Sequence, residues 1–219
     1  MRVAVIGANL GGFDNPVPHC PQEGVEVYYH LFTDANMPPR SCAMTPRLQA
    51  KIPKMFAWDL CPGYDAYIWC DSSLRLSKPD SVLWFLNQLG DYDIAVFKHP
   101  ARNSAREEAA FLRAKLAVGS EYIMARYAGE DIDGQMEAIR RDRGYADDRL
   151  YAAGAFCYKP TCDVRDAMKE WWYHTSRFHQ IDQLSFPYAL WTNRVCASVI
   201  DEDIYHASHL EWVRRRGHA

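Results

Sequence analysis

The sequence predicts an α/β chain: one mainly parallel sheet covered on both faces by helices. Three observations predict it. Short apolar runs rich in β-branched and aromatic residues alternate with helix-patterned stretches along nearly all 219 residues. Those runs stop on glycine or on polar residues, as strands feeding loops do. The composition, 48% hydrophobic and 24% charged, is that of an ordinary globular domain, and the length suits a single core.

Arg2 to Ala8 reads as the first strand, broken by Gly7, Gly11 and Gly12. Val25 to Phe32 is the second, closing on Thr33-Asp34. Thr45-Pro46 supplies a cap and a first-turn proline for a helix to about Trp58. On it Arg47, Lys51 and Lys54 share a face, being four and three residues apart. Tyr64 to Cys70 is a third strand and Pro79 to Leu89 a helix. Asp93 to Lys98 is a fourth strand, ending at His99-Pro100. Ser104-Ala105-Arg106-Glu107 suggests a capping box for a helical region to about Tyr127. Ile132 to Arg143 is another helix. Leu150 to Tyr158 is a strand whose central Gly154 points to close backbone approach. Asp163 to Ser176 is helical, and Gln183 to Trp191 is a shorter helical piece interrupted by Pro187. Val195 to Ile200 is the last strand, followed by an irregular tail.

Composition also excludes. A net charge of −3 leaves no global basic field for nucleic acid. Arg214-Arg215-Arg216 is the local exception. The seven cysteines form no C-x-x-C pair, and an odd count argues against a complete disulfide framework. Cys70 and Cys157 sit in apolar strands as small hydrophobes, and a reducing compartment fits. The apolar start is too short for a signal peptide, and no spanning segment occurs. A soluble, cytoplasmic protein without a membrane segment is expected.

Ligands of such sheets gather at the carboxyl ends of strands. Asn9, Thr33, Asp34, Asp71, Ser73 and His99 all fall there. Asp71 closes a buried strand and has Ser73 two residues on, a spacing that offers a hard divalent cation one carboxylate and one hydroxyl. Arg47 and Lys51 have the charge to face a diphosphate. Asp182-Gln183 pairs a carboxylate with an amide, suited to sugar hydroxyls and to positive charge at an anomeric carbon. Asp182 equally suits a helix N-cap. Arg102 could touch phosphate or sugar, or pair with the glutamates after it. His206 and His209 could complete a metal shell if the tail folds over. The loop from Gly7 to Gly12 lacks the G-x-G-x-x-G spacing of a dinucleotide site. Trp171, Trp172, Tyr173 and Trp191 are spaced as core residues, though they could stack a sugar.

Taken in order, these segments resemble a known family. They are the glycine loop with Phe13-Asp14, then Phe32-Thr33-Asp34, Arg47 to Lys54, and Trp69 to Arg75. His99-Pro100-x-Arg102 with Glu107-Glu108 and Asp182-Gln183-Leu184-Ser185-Phe186 complete the series. The family is the glycosyltransferase-like domain of plant proteins linked to mucilage and pollen-tube function, with bacterial and phage members. The resemblance covers roughly residues 3 to 200. It implies a single GT-A domain, with a Rossmann-like nucleotide-binding half to about residue 100, an acceptor half to about 205, and a tail. The fold implied is a mixed sheet flanked by helices. It further implies a nucleotide-sugar donor, most often a UDP-sugar, with Mn2+ or Mg2+ at Asp71, Ser73 and His206 or His209. Asn9, Thr33, Asp34, Arg47, Lys51, Ser73, His99 and Arg102 become donor contacts, and Asp182 and Gln183 the catalytic pair. That pair is similar to the one in glycogenin-like and lipopolysaccharide galactosyltransferases, which retain anomeric configuration. Two departures stand out: Ser73 replaces the family's usual asparagine or aspartate, and Ile181 replaces an arginine. The acceptor expected is a glycan or other hydroxyl compound, with a hydroxylated nucleic-acid base as the phage variant. Nucleotidyl transfer and a non-catalytic nucleotide- or carbohydrate-binding module are the rival readings.

Overall fold

In a computed structural model, residues 1–41 and 44–213 are described. Among these, six strands form one sheet in the order β2-β1-β3-β6-β5-β7, from β1 (Arg2–Asn9), β2 (Glu26–Thr33), β3 (Ala66–Cys70), β5 (Ile94–Lys98), β6 (Tyr151–Tyr158) and β7 (Ala197–Ile200). Pairing is parallel throughout except for β6, which runs antiparallel to both β3 and β5. The sheet is thus mixed, mainly parallel, with its one reversed strand in the middle. It continues through both stretches of the chain assigned to donor and acceptor, because β6 and β7 come from the second.

Alternation along the strands sorts the core onto two faces. Ala4, Ile6, Tyr67, Trp69, Ile94, Val96, Phe156 and Tyr158 face α1 (Pro46–Leu60), α6 (Cys162–Arg177) and α7 (Phe186–Thr192). Val3, Val5, Ile68, Ala95, Phe97 and Cys157 face α2 (Ser81–Leu89) and the chain after β7. A third cluster joins α3 (Ala105–Ala117), α4 (Glu121–Tyr127) and α5 (Ile132–Arg140) above one end of the sheet.

Local signals account for the starts. Thr45 Oγ1 accepts the Leu48 N–H with Pro46 beginning α1, and Ser104 Oγ accepts that of Glu107. Three readings need correction. The helix expected to reach Tyr127 is two, α3 and α4, separated at Gly119, whose φ of +68° stops a helix. Pro187 opens α7 rather than interrupting it, after a 3-10 turn over Asp182–Leu184. The tail is not irregular throughout. Leu210–Trp212 (β8) pairs antiparallel with Leu74–Leu76 (β4), and Arg75 bonds Glu211 across the pair. No helix among the described residues is long and apolar enough to cross a membrane. Arg214 to Arg216 lie outside the described residues.

Candidate functional site

The carboxyl ends of β1, β3 and β5 open onto a cleft of about 1020 Å³. Asn9, Arg47, Lys51, Asp71, Ser73, His99, Arg102, Asp182 and Gln183 all line it.

Asp71 follows β3, where its backbone N–H bonds the Gly154 carbonyl at 2.8 Å. Gly154 lies where the β5–β6 register slips, from Val96 opposite Phe156 to Phe97 opposite Ala152. A Cβ on Gly154 would come within 3.2 Å of Ile204 and 3.4 Å of Asp71 Oδ2, the close approach expected from sequence. Asp71 Oδ1 accepts the Trp69 indole N–H at 2.7 Å, and its side chain remains 43% exposed.

Asp182 is the opposite case. It is 8% exposed, and Lys51 and Lys54 donate to its Oδ2 at 2.8 and 2.6 Å. Burial alone would raise its pKa, yet the two ammonium groups outweigh that and keep the carboxyl well below its usual range. Its carbonyl accepts the Trp171 indole N–H at 2.6 Å, and Trp171 is a fully buried core residue stacked on Phe186. The N-cap alternative falls away, since Asp182 makes no capping bond. Lys54 stands between the two acids, 3.9 Å from Asp71 Oδ1, with the faces of Trp69 and Trp171 each 5.5 Å away. Sequence reading placed Lys54 on the right helix face but gave it no role. Its apolar neighbours belong to distant elements and carry no local signal.

On the other wall, Arg102 Nε donates to Glu108, and Glu108 Oε1 accepts from Gln183 Nε2 at 2.6 Å. His99 Nδ1 accepts the N–H groups of Ala101 and Arg102 at 3.2 and 3.0 Å, which ties down the turn after β5. Burial, aided by Arg102, pushes the His99 pKa down to about 4.

Several expected contacts turn out to be structural. Both ends of the Asn9 amide bond the backbone of Asp14, shaping the glycine loop. Asp34 accepts from the Gly11 N–H and Arg40, and Thr33 Oγ1 accepts the Ala35 N–H, and neither lines the cleft. These two therefore brace loops rather than face a nucleoside. The Arg47 guanidinium bonds the Arg126 carbonyl at 2.8 Å, and Lys51 is engaged by Asp182, so neither stands as a bare cation. His206 pairs with Asp203, and His209 stacks on Trp84 with centroids 5.0 Å apart while its Nε2 faces Asp80 at 3.4 Å. Neither imidazole lines the cleft, although Tyr205 and Trp212 do, so the histidine part of the metal expectation is corrected: Asp203 holds His206, and Trp84 of α2 holds His209.

What remains for a divalent cation is Asp71, with Ser73 also lining the cleft. Among the described residues no three His, Cys, Asp or Glu side chains gather into a metal-binding group. One carboxylate beside an ammonium does not make a resident metal cage. It fits a cation that arrives with phosphate oxygens and water as its other ligands.

Residues 41–202 match the model of the TOD1/MUCI70 glycosyltransferase-like domain, and the chain belongs to that family. No curated protein matches significantly. Among solved structures, a glycosyltransferase involved in glycosylation of the major capsid of PBCV-1 aligns over 93% of this chain and 82% of its own, at 12% identity and a TM-score of 0.43. CMP:2-keto-3-deoxy-manno-octonic acid synthetase in complex with CTP aligns over 93% and 90%, at 12% identity and 0.41. A197 from STIV aligns over 92% and 82%, at 7% and 0.37.

Proposed function

We propose that the protein transfers a sugar from a nucleotide-sugar donor, most simply a UDP-sugar, to a hydroxyl group of an acceptor glycan. The observation that carries the reading is the meeting of Asp71 with Asp182-Gln183 in one cleft at the strand ends of a glycosyltransferase-like domain. Their sequence separation leaves no local reason for them to meet.

On this reading the donor diphosphate lies at Asp71 and the sugar near Asp182 and Gln183. Asp71, with Ser73 beside it, would hold Mn2+ or Mg2+, which would supply positive charge to offset that of the leaving group. The bond from the anomeric carbon to the diphosphate breaks, and its electron pair leaves with the nucleoside diphosphate. The acceptor oxygen bonds that carbon and loses its proton to the departing phosphate. The Asp182-Gln183 pair supports transfer with retained configuration. Lys51 and Lys54 keep Asp182 ionised and fixed, so the field at the sugar is in place before the donor arrives.

The test is thermal stabilisation by a panel of nucleotide sugars, with and without Mn2+. A shift for one sugar nucleotide that needs Mn2+ and is lost in Asp71→Ala supports the reading. A shift only with nucleoside triphosphates moves it to nucleotidyl transfer.

A further inference from the structure

We propose that Glu108 is a positioning residue: it sets which end of the Gln183 amide faces the cleft, and the end it leaves there is the carbonyl oxygen. This rests on the transfer reading above. It adds a residue outside the acid–amide pair and a definite orientation for that pair's amide.

The two ends of a glutamine amide are nearly alike in shape, and their partners decide which way round it sits. Glu108 is 3% exposed and belongs to the first turn of α3. One of its oxygens takes the Arg102 guanidinium and the other takes Gln183 Nε2 at 2.6 Å. A carboxylate bound to a guanidinium offers acceptors only, so the NH2 end of Gln183 is the end that can meet it. Arg102 is in turn held through the backbone bonds to His99. The amide oxygen is thereby directed away from Glu108. Asp182 next to it is already matched by two ammonium groups. Gln183 Oε1 is the electron-rich end of the amide, suited to positive charge at a reacting carbon or to an incoming hydroxyl.

A merely structural role, in which Glu108 ties α3 to the 3-10 turn, makes different predictions. In Glu108→Gln the shape is kept. The guanidinium claims the new amide's oxygen, because a charge-assisted bond is the stronger one. The new NH2 then faces Gln183, whose amide must turn over and present NH2 to the cleft. Turnover is expected to fall about 100-fold, while the KM for donor stays within about two-fold. Adding Gln183→Glu to Glu108→Gln restores an oxygen on both sides of position 183 and recovers about ten-fold over the single variant. Under a structural role neither change alters turnover selectively.

The orientation is read without any substrate, from the Gln183 side-chain amide proton resonances, assigned by their loss in Gln183→Glu. Slow exchange and a downfield shift in the wild type, both abolished in Glu108→Gln, support the proposal. Free exchange like that of a surface glutamine overturns it. The expected resonances together with wild-type turnover in Glu108→Gln overturn the positioning role. If the wild type turns over no nucleotide sugar, the transfer reading fails, while the resonances still decide the orientation.

Discussion

Asp71 and Asp182 are two carboxylates of one cleft in opposite physical states. Asp182 is buried, bonded to two lysines, and anchored through its backbone to the core tryptophan Trp171. Asp71 is half exposed, holds one indole N–H, and stands 3.9 Å from an ammonium group that is closer to its rival. A buried ion cluster stabilises only while complete, whereas an exposed carboxylate contributes little to folding and is free to act on a ligand. The difference separates a carboxylate locked into the charged framework of the cleft from one left open to it.

The comparison is broken most directly at Asp182. Asp182→Ala leaves two ammonium groups without their carboxylate, and a loss of about 3–5 kcal/mol is expected from denaturant unfolding. A loss below about 1 kcal/mol would mean that the cluster is not integral to the fold. Asp71→Ala is the counterpart: stability within about 1 kcal/mol of wild type, and sugar transfer down by at least about 100-fold. Wild-type turnover in that variant would remove Asp71 from the reaction.

Protons sharpen the contrast. The acid-sensitive groups near this cleft are not the carboxylates but His99 and His179, each pushed by burial to about 4. Both are neutral in the fold and take up protons near pH 6.5 when unfolded. Their contribution is complete above that value and is lost as pH falls from about 6.5 to 4, on the order of 2–3 kcal/mol each. Asp182, held low, adds its loss only below the ordinary carboxylate range. Urea midpoints measured from pH 7 to 4.5 should fall steadily. His99→Asn, whose side-chain oxygen can take the same two N–H bonds, should flatten that slope. An unchanged slope would show that His99 titrates normally. The smallest effect is expected at Gly154→Ala, where the added methyl meets Ile204, Leu74 and Asp71: about 1 kcal/mol in stability, with weaker donor binding measured by calorimetry.

Much of this was legible in the sequence. The apolar runs mark the six strands of the sheet within a few residues; Asp71 and His99 stood out where such runs stop, and Asp182 and Gln183 just before an apolar cluster. The direction of β6 was not legible, since nothing in Leu150 to Tyr158 differs from a parallel strand. β8 is three residues long and exists by pairing with β4, a contact no local pattern encodes. His209 looked like a ligand because a histidine stacked on Trp84 and one facing a metal have the same sequence signature. Glu108 read as one of the glutamates that could pair with Arg102, which it does. Its bond to Gln183, 75 residues on, could be seen only in three dimensions.

The bonds that define the charged centre are among the most distant along the chain. Lys51 and Asp182 are 131 residues apart, and Arg75 and Glu211, which secure the tail strand, are 136 apart. Loops of that size close late and slowly, because their entropy must be lost before any contact compensates. Strands β1, β2 and β3 lie together in the first third of the chain and can associate early. The cleft becomes a single electrostatic unit only when α6 and the turn after it dock. A nascent or partly unfolded chain would therefore hold a formed sheet edge around Asp71 while its lysines still lack their acid.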